Sequence, residues 1–178
     1  MKKTHRSKLF DNMVILNELL KDCRRSMNSI AKACCKNKQQ VWRRIKKLEE
    51  ENVIWGYSAV IDENKIGYHR YMALIKIGPQ TLEAVNKVIE RHLDPNARGR
   101  ENIRIIESYY LNGLFDWIVI FAAPSIVDAK KYCGFLEVVY ADFVEGVELL
   151  EVIFPVARSG KINPEIEKLK EFAIPETD

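Results

Sequence analysis

Residues 37–54 read Asn37-Lys38-Gln39-Gln40-Val41-Trp42-Arg43-Arg44-Ile45-Lys46-Lys47-Leu48-Glu49-Glu50-Glu51-Asn52-Val53-Ile54. At helical period Val41, Ile45 and Leu48 fall at i, i+4 and i+7 and form one narrow apolar stripe. The other faces carry Lys38, Gln39, Gln40, Arg43, Arg44, Lys46 and Lys47. This predicts a helix with an inner seam for a small core and an outer surface of amides and cations. Glutamine can pair bidentately with adenine and arginine with guanine, while lysine meets phosphate. A lone basic helix is more often simply solvated, so the flanking sequence has to decide.

On the N-terminal side, Leu9 to Lys21 carries apolar residues at 9, 10, 13, 14, 16, 19 and 20. That is a helix with a broad buried face, with Asp11 as its expected N-cap. Asp22 to Arg25 breaks the pattern. Ser26 opens a short second helix, Met27 to Cys35, expected to bury Met27, Ile30, Ala31 and Cys34. A polar turn, Lys36-Asn37-Lys38, leads into the third helix. Asn52 suits a left-handed C-cap, since asparagine tolerates positive φ. Three helices in about fifty residues, the last two joined by a tight turn, describe a helix-turn-helix. In that geometry Lys38, Gln39, Gln40 and Arg43 face base edges, and Arg44, Lys46, Lys47 and Lys36 face phosphates. Trp42 either covers the edge of the small core or lies against a sugar or thymine methyl; the packing role is favoured.

Charge supports the same division. The chain has 178 residues, 47% of them hydrophobic, and a net charge of only +3. Residues 1–56 nevertheless hold 14 Lys/Arg against 6 Asp/Glu, whereas residues 57–178 hold 14 against 19. A basic front on an acidic back implies that only the front meets a polyanion. No apolar run approaches the roughly 18 residues that span a bilayer, and the basic N-terminus lacks a signal-peptide core. A cytoplasmic protein with no membrane partner is expected. Cysteines at 23, 34, 35 and 133 show no C-x-x-C spacing, so reduced core thiols, and no metal, are expected.

Beyond the third helix, Val53 to Ile61 reads as a strand or extended arm, and Asp62 to Gly67 as a turn. Tyr68 to Ile77 is a strand and Pro79 to Leu93 a helix with Leu82, Val85, Val88 and Ile89 inward. Asp94 to Glu101 is a polar loop. Ile103 to Leu111 and Leu114 to Ala123 are strands joined by Asn112-Gly113, a strong hairpin signal that explains Gly113 by positive φ. Ser125 to Val139 is a helix and Val144 to Val156 a fourth strand. The order β-α-β-β-α-β is that of a ferredoxin-like sandwich with helices on one face. So many apolar residues in the strands imply that a second subunit covers the other face. The expected fold class is α+β. Residues 1–53 form a winged-helix-like helix-turn-helix domain, 54–67 a linker, and 68–156 a ferredoxin-like domain. Residues 157–178 form an extension, with a helix opened by Asn163-Pro164 and running to about Phe172.

Val41 to Ile54, Gly56-Tyr57-Ser58-Ala59-Val60-Ile61-Asp62, Ile66-Gly67, Glu107-Ser108-Tyr109 and Asn112-Gly113-Leu114-Phe115-Asp116 together resemble the Lrp/AsnC, or feast/famine, transcription regulators. The resemblance runs through residues 9–156. It implies a sequence-specific DNA-binding regulator of amino-acid metabolism genes that binds double-stranded DNA as a dimer and often assembles further into octamers. It also implies an amino-acid effector held between C-terminal domains. Gly113 and Asp116 match the effector hairpin, with Asp116 as partner for an α-ammonium group; the bare residues equally fit an Asp116 that bonds hairpin amides. This chain departs from the family at Asn52, usually Gly, at Leu114, often acidic, in a longer 94–101 loop, and in its 157–178 extension. The alternatives from other classes are a siroheme-decarboxylase-like tetrapyrrole enzyme, with His69 beside Tyr68, Arg70 and Tyr71, and an effector-free architectural DNA binder. No catalytic constellation or cofactor motif stands in the sequence, so no enzyme and no cofactor are expected.

Overall fold

The computed structural model describes residues 2–79, 81–94 and 102–173. They divide into two compact units, Met1–Val60 with Ser159–Lys161, and Ile61–Arg158 with Ile162–Asp178. Among the described residues no helix is long and apolar enough to cross a membrane.

The first unit contains α1 (Lys2–Lys21), α2 (Met27–Ala33) and α3 (Lys38–Glu50). Its core is Ile15, Ile30, Ala31, Cys34, Val41 and Ile45, with Val14, Leu19, Met27 and Ile54 packed against it; Leu48 is buried as well. Two expectations for α1 are corrected. Asp11 lies inside the helix, not at its N-cap, and pairs with Lys36 at 3.1 Å. The buried face is centred on Ile15, which the apolar pattern passed over, while Phe10, Met13 and Leu20 are exposed. The reason is that the apolar residues at 9, 10, 13–16, 19 and 20 cover most of the helix circumference, which leaves the helical phase ambiguous until α2 and α3 select one side. Glu18 lies on that selected side, where its carboxylate receives Lys21 Nζ and Arg25 Nη1, both at 2.5 Å.

Both turns after α2 and α3 use the same device. Cys35 (φ 51) and Asn52 (φ 54) are left-handed. Lys36 N donates to Ala31 O and Cys35 N to Lys32 O after α2; Val53 N donates to Leu48 O and Asn52 N to Glu49 O after α3. These are paired Schellman bonds that satisfy the last carbonyls of each helix. Asn52 was legible in the sequence. Cys35 was not, since a non-glycine there carries a cost of about 1 kcal/mol that nothing local advertises. The second helix accordingly stops at Ala33, two residues short of expectation, and the thiols of Cys23 and Cys35 are exposed; only Cys34 and Cys133 are core thiols.

The second unit has β1 (His69–Ile77), α4 (Leu82–Leu93), β2 (Arg104–Tyr110), β3 (Trp117–Ala123), α5 (Ile126–Val139) and β4 (Val144–Glu151). The sheet order is β2-β3-β1-β4, antiparallel throughout. One face is the core. Tyr71, Ala73, Ile75, Trp117, Val119 and Phe121 meet Ala84 and Val88 of α4 and Ala129, Tyr132, Cys133 and Leu136 of α5. The opposite face shows two cross-strand rows, Leu150–Met72–Ile120–Glu107 and Glu148–Leu74–Ile118–Tyr109.

Several boundaries move. Thr81 caps α4 by accepting from Ala84 N (3.2 Å), so the helix starts three residues after Pro79. Leu82 and Ile89, expected inward, are exposed, because the helix turns Ala84 and Val88 to the sheet. The hairpin after β2 is a six-residue loop, not an Asn-Gly turn. Tyr110 pairs with Trp117 and Leu111 N donates to Asp116 O at 2.8 Å. Gly113 is absent from the positive-φ residues, and a Cβ there would meet nothing within 4 Å. The fourth strand ends at Glu151, five residues early. The expected loop at 94–101 lies, after Asp94, outside the described residues. The extension begins with the hairpin strands β5 (Ala157–Arg158) and β6 (Lys161–Ile162) and continues through a 3-10 turn, Ile166–Lys168, into α6 (Leu169–Ala173). Asn163 Oδ1 accepts from Glu165 N (2.8 Å), as a capping asparagine would, but the helix after it is broken. Val53 to Ile61 forms no strand.

Glu63, 2% exposed, ties the turn before β1 to the sheet and to the extension. Its carboxylate accepts from Arg70 Nη2 at 2.5 Å and from Arg158 Nη1. Burial pushes its pKa up, but the two guanidinium groups outweigh this and hold it below the ordinary value. The Nε atoms of Arg70 and Arg158 are buried without a partner among the described residues, so the carboxylate is their main compensation. Removing one member of a buried ion group costs about 3 kcal/mol or more. Glu63→Gln is therefore expected to destabilise the second unit by about 3 kcal/mol in urea unfolding at pH 7. A carboxylate with a depressed pKa stabilises above its unfolded pKa, about 4.3, and this is lost as pH falls through the folded value. The variant should lose part of that acid limb; an unchanged acid limb would remove Glu63 from the account.

Candidate nucleic-acid interface

The third helix is fixed at both ends before any ligand is considered. Asn37 caps it, accepting from Gln40 N at 2.8 Å while Gln40 Oε1 accepts from Asn37 N at 3.2 Å. This capping box satisfies two of the orphan donors of the first turn. The buried seam Val41–Ile45–Leu48 then sets the roll of the helix. At 3.6 residues per turn, Gln39, Arg43, Lys46 and Lys47 stand opposite the seam. Lys38 and Trp42 flank one side, Gln40 and Arg44 the other.

The eight sequence-derived DNA residues separate into groups. Lys38, Gln39 and Arg43 are exposed, and among the described residues their side chains have no hydrogen bond or ion pair. Lys46 pairs with Glu49 at 3.0 Å and Lys47 with Glu51 at 3.4 Å; both pairs are on the surface, where such pairs hold weakly and yield to phosphate. Gln40 spends its carbonyl oxygen on the capping box, which leaves only its amide NH2 for a ligand. Arg44 is half-buried and its Nε donates to Asn12 Oδ1 on α1. Lys36 pairs with Asp11. These three are bound into the head, and the spacing rule could not show it because each partner comes from distant sequence or from the cap.

Trp42 is not in the core cluster and keeps 51% of its surface exposed. The favoured packing role is thus corrected: the indole flanks the outer face one turn from Lys38 and Lys46. Sequence reasoning also passed over α2. Asn28, Ser29, Ala31 and Lys32 line an open cleft with Lys36 and Lys38, so three ammonium groups gather beside the turn into α3. The signal was available, since 28, 29 and 32 fall on the helix face opposite Ile30 and Cys34. Such a cluster neutralises a polyanion backbone without reading bases.

In the second unit, Gly113 and Asp116 share the loop after β2, but Asp116 is committed to the sheet. Its Oδ2 accepts from Ile77 N and from Lys76 Nζ, both at 2.9 Å, and its amide donates to Ile75 O at 3.0 Å. The Ile77 amide and then Lys76 lower its pKa, so it is a carboxylate near neutral pH. Leu114 is 80% exposed. His69 is exposed on β1, and no group of three metal-ligating side chains stands among the described residues.

Residues 13–54 match the family model for the winged helix-turn-helix DNA-binding domain. Over 152 residues, 84% of this chain and 95% of the relative, the sequence is 27% identical to an uncharacterized HTH-type transcriptional regulator of Pyrococcus abyssi (strain GE5 / Orsay). The fold is similar to that of the AsnC family transcriptional regulator from Agrobacterium tumefaciens. There the TM-score is 0.62, with 20% identity over 87% of this chain and 96% of that one. It is also similar to a transcriptional regulator of Neisseria meningitidis solved as an L-Met complex, with TM-score 0.65, 12% identity, and 86% and 94% covered. A helix-turn-helix head at 13–54 followed by a four-stranded antiparallel sheet with helices on one face is the two-domain fold of the Lrp/AsnC-type transcription regulators.

Proposed function

We propose that this chain is a transcription regulator of the Lrp/AsnC type that binds double-stranded DNA in a sequence-specific way through the first turns of α3. The observation that carries the reading is the state of Lys38, Gln39 and Arg43. A buried seam and a capping box hold the helix rigidly, yet among the described residues these three groups have no hydrogen bond or ion pair. Gln39 and Arg43, one turn apart, supply the amide and guanidinium of base readout. Lys38, Lys32, Lys46 and Lys47 supply phosphate contacts, and Trp42 adds an apolar edge.

A homodimer, with further assembly to an octamer, belongs to the same proposal. The sheet face opposite α4 and α5 carries Met72, Leu74, Ile118, Ile120, Leu150 and Tyr109 in two continuous rows, and Tyr109 is half exposed. A second copy of this face would bury them, with Lys76 and Arg70 beside Glu107 and Glu148 as the polar component. The effector is proposed to be an amino acid or a related small molecule at the 111–116 loop. Its α-ammonium would take the Asp116 carboxylate in place of the Lys76 ammonium. The L-Met bound by the Neisseria protein makes amino acids the first ligands to try.

Three outcomes are expected. Gln39→Ala with Arg43→Ala should weaken binding to the protein's own promoter region at least about tenfold in a gel shift; unchanged affinity would take base reading away from α3. Ile118→Glu should convert a dimer to a monomer in sedimentation without loss of helical circular dichroism, and a persisting dimer would move the interface elsewhere. Calorimetry with the twenty amino acids should show a ligand whose binding is lost in Asp116→Ala, in protein shown by its melting curve to be folded. Undiminished binding would exclude Asp116 from the site.

A further inference from the structure

The 157–173 extension holds one segment of the second unit from two sides. That segment is the turn 61–67, which opens the unit directly after Val60. Arg158, on β5, reaches its start: Nη1 donates to Ile61 O at 2.5 Å and to the Glu63 carboxylate. Glu165, beyond β6, reaches its middle, where its Oε1 accepts from Lys65 Nζ at 3.1 Å. The joined positions lie 97 and 100 residues apart in sequence. Asn163 directs the second arm. Its Nδ2 donates to Pro155 O at 2.7 Å, its amide donates to Val156 O at 3.0 Å, and its Oδ1 accepts from Glu165 N at 2.8 Å. Farther on, the rings of Phe172 and Phe154 lie 5.3 Å apart between centroids. The extension is therefore closed back on residues 154–156 before either arm meets the turn.

The turn itself is built from short-range bonds. Lys65 N donates to Asp62 O at 3.3 Å, Gly67 N to Asn64 O at 3.2 Å, and Asn64 N to Asp62 Oδ1 at 3.2 Å. A 3-10 turn of this kind has poorer hydrogen-bond geometry than an α-helix and holds weakly by itself. We propose that the extension is a clasp: Arg158 and Glu165 pin the 61–67 turn and so limit the directions in which the chain from the head enters the second unit, which presets paired heads for one spacing of half-sites. The spacing half of this inference rests on the reading of the protein as a DNA-binding dimer; the pinning does not. Freedom at such a junction is lost when both heads engage one duplex, and that loss weakens binding. A stiffer link raises the effective concentration of the second head at the matching spacing and lowers it at others. Of the two arms, Arg158 is the stronger. Its side chain is 11% exposed and meets a buried carboxylate, whereas the Lys65–Glu165 pair is on the surface, where such pairs contribute little. Lys168 and then Lys65 hold Glu165 below the ordinary carboxylate range, so it is ionised near neutral pH.

Amide hydrogen exchange on the full-length protein, compared with Arg158→Met and Glu165→Lys, tests the clasp. Methionine keeps the apolar stem and removes the guanidinium, and Glu165 is partly exposed, so its reversal leaves the core intact. The amides of Asn64, Lys65 and Gly67 should exchange at least about tenfold faster in Arg158→Met and about threefold faster in Glu165→Lys, with those of Ala73 and Val119 in the sheet unchanged. Unchanged exchange at 64–67 in both variants would overturn the clasp, and so would an equal rise in the sheet, which marks general destabilisation. The second arm is affinity for the protein's own promoter region with base pairs inserted at the centre of the footprint. Wild type should tolerate ten and lose at least about tenfold with five, about half a helical turn. Arg158→Met should lose less than about threefold with either. Wild-type discrimination in that variant would overturn the spacing role. A wild-type protein without a footprint would instead sink the regulator reading and the spacing role with it, and the exchange rates would still decide the clasp.

Discussion

The burial of Val41 and Ile45 against Ile15, Ile30 and Ala31, with Leu48 buried on the same line, is the contact from which the first unit takes its form. Each aliphatic side chain removed from water contributes about 2 kcal/mol, and the three lie on one line along α3, so the helix can dock in only one roll. Every polar position then has its direction assigned. Leu48 has a further role, because its carbonyl receives both Val53 N and Ile54 N. The residue that closes the seam also ends the helix and returns Ile54 to the core. A single apolar line thereby positions Gln39 and Arg43 outward, stops α3 at Glu50, and starts the segment that carries Trp55 and Tyr57.

In the second unit β1 does the equivalent work through alternation. Tyr71, Ala73, Ile75 and Ile77 enter the core, whereas Arg70, Met72, Leu74 and Lys76 point the other way. The outward set meets three demands at once. Met72 and Leu74 centre the uncovered apolar rows, Lys76 pairs with Asp116, and Arg70 compensates the buried Glu63. A one-residue slip would exchange these sets and place two cations in the core. The polar ties at Glu63 and Asp116 therefore act as register markers beside the hydrophobic pattern.

What could be read from the sequence follows the range of the interaction responsible. Element order, the α3 seam, the left-handed Asn52 and the opening of α2 at Ser26 depend on residues within one or two turns, and all are legible. The misses depend on partners far away in sequence. Ile15 is buried because α2 and α3 approach from that side. Gln40, Arg44 and Lys36 lose freedom to Asn37, Asn12 and Asp11. Arg158 meets Glu63 across 95 positions. Asn112-Gly113 shows the reverse failure, since a strong local turn signal lost to longer-range bonding. The Asp116 carboxylate, held by Ile77 N and Lys76, fixes the far end of the loop, so the strands close at Tyr110–Trp117 and the chain spans six residues without positive φ at Gly113.

Charge is graded along α3, and the grading agrees with the direction of the backbone dipoles. Lys38, Gln39 and Arg43 stand at the N-terminal end, where unpaired amides and the helix dipole already favour an anion. Lys32 and Lys36 from the preceding helix and turn lie beside the same end. Glu49, Glu50 and Glu51 stand at the other end, where the dipole is negative and the last carbonyls are taken up by the Schellman bonds. A basic helix with its cations spread evenly could lie along a polyanion in either direction. This one is attractive at its first turns and repulsive at its last, so a duplex is met by the N-terminal turns, and those are the turns that carry the unengaged amide and guanidinium.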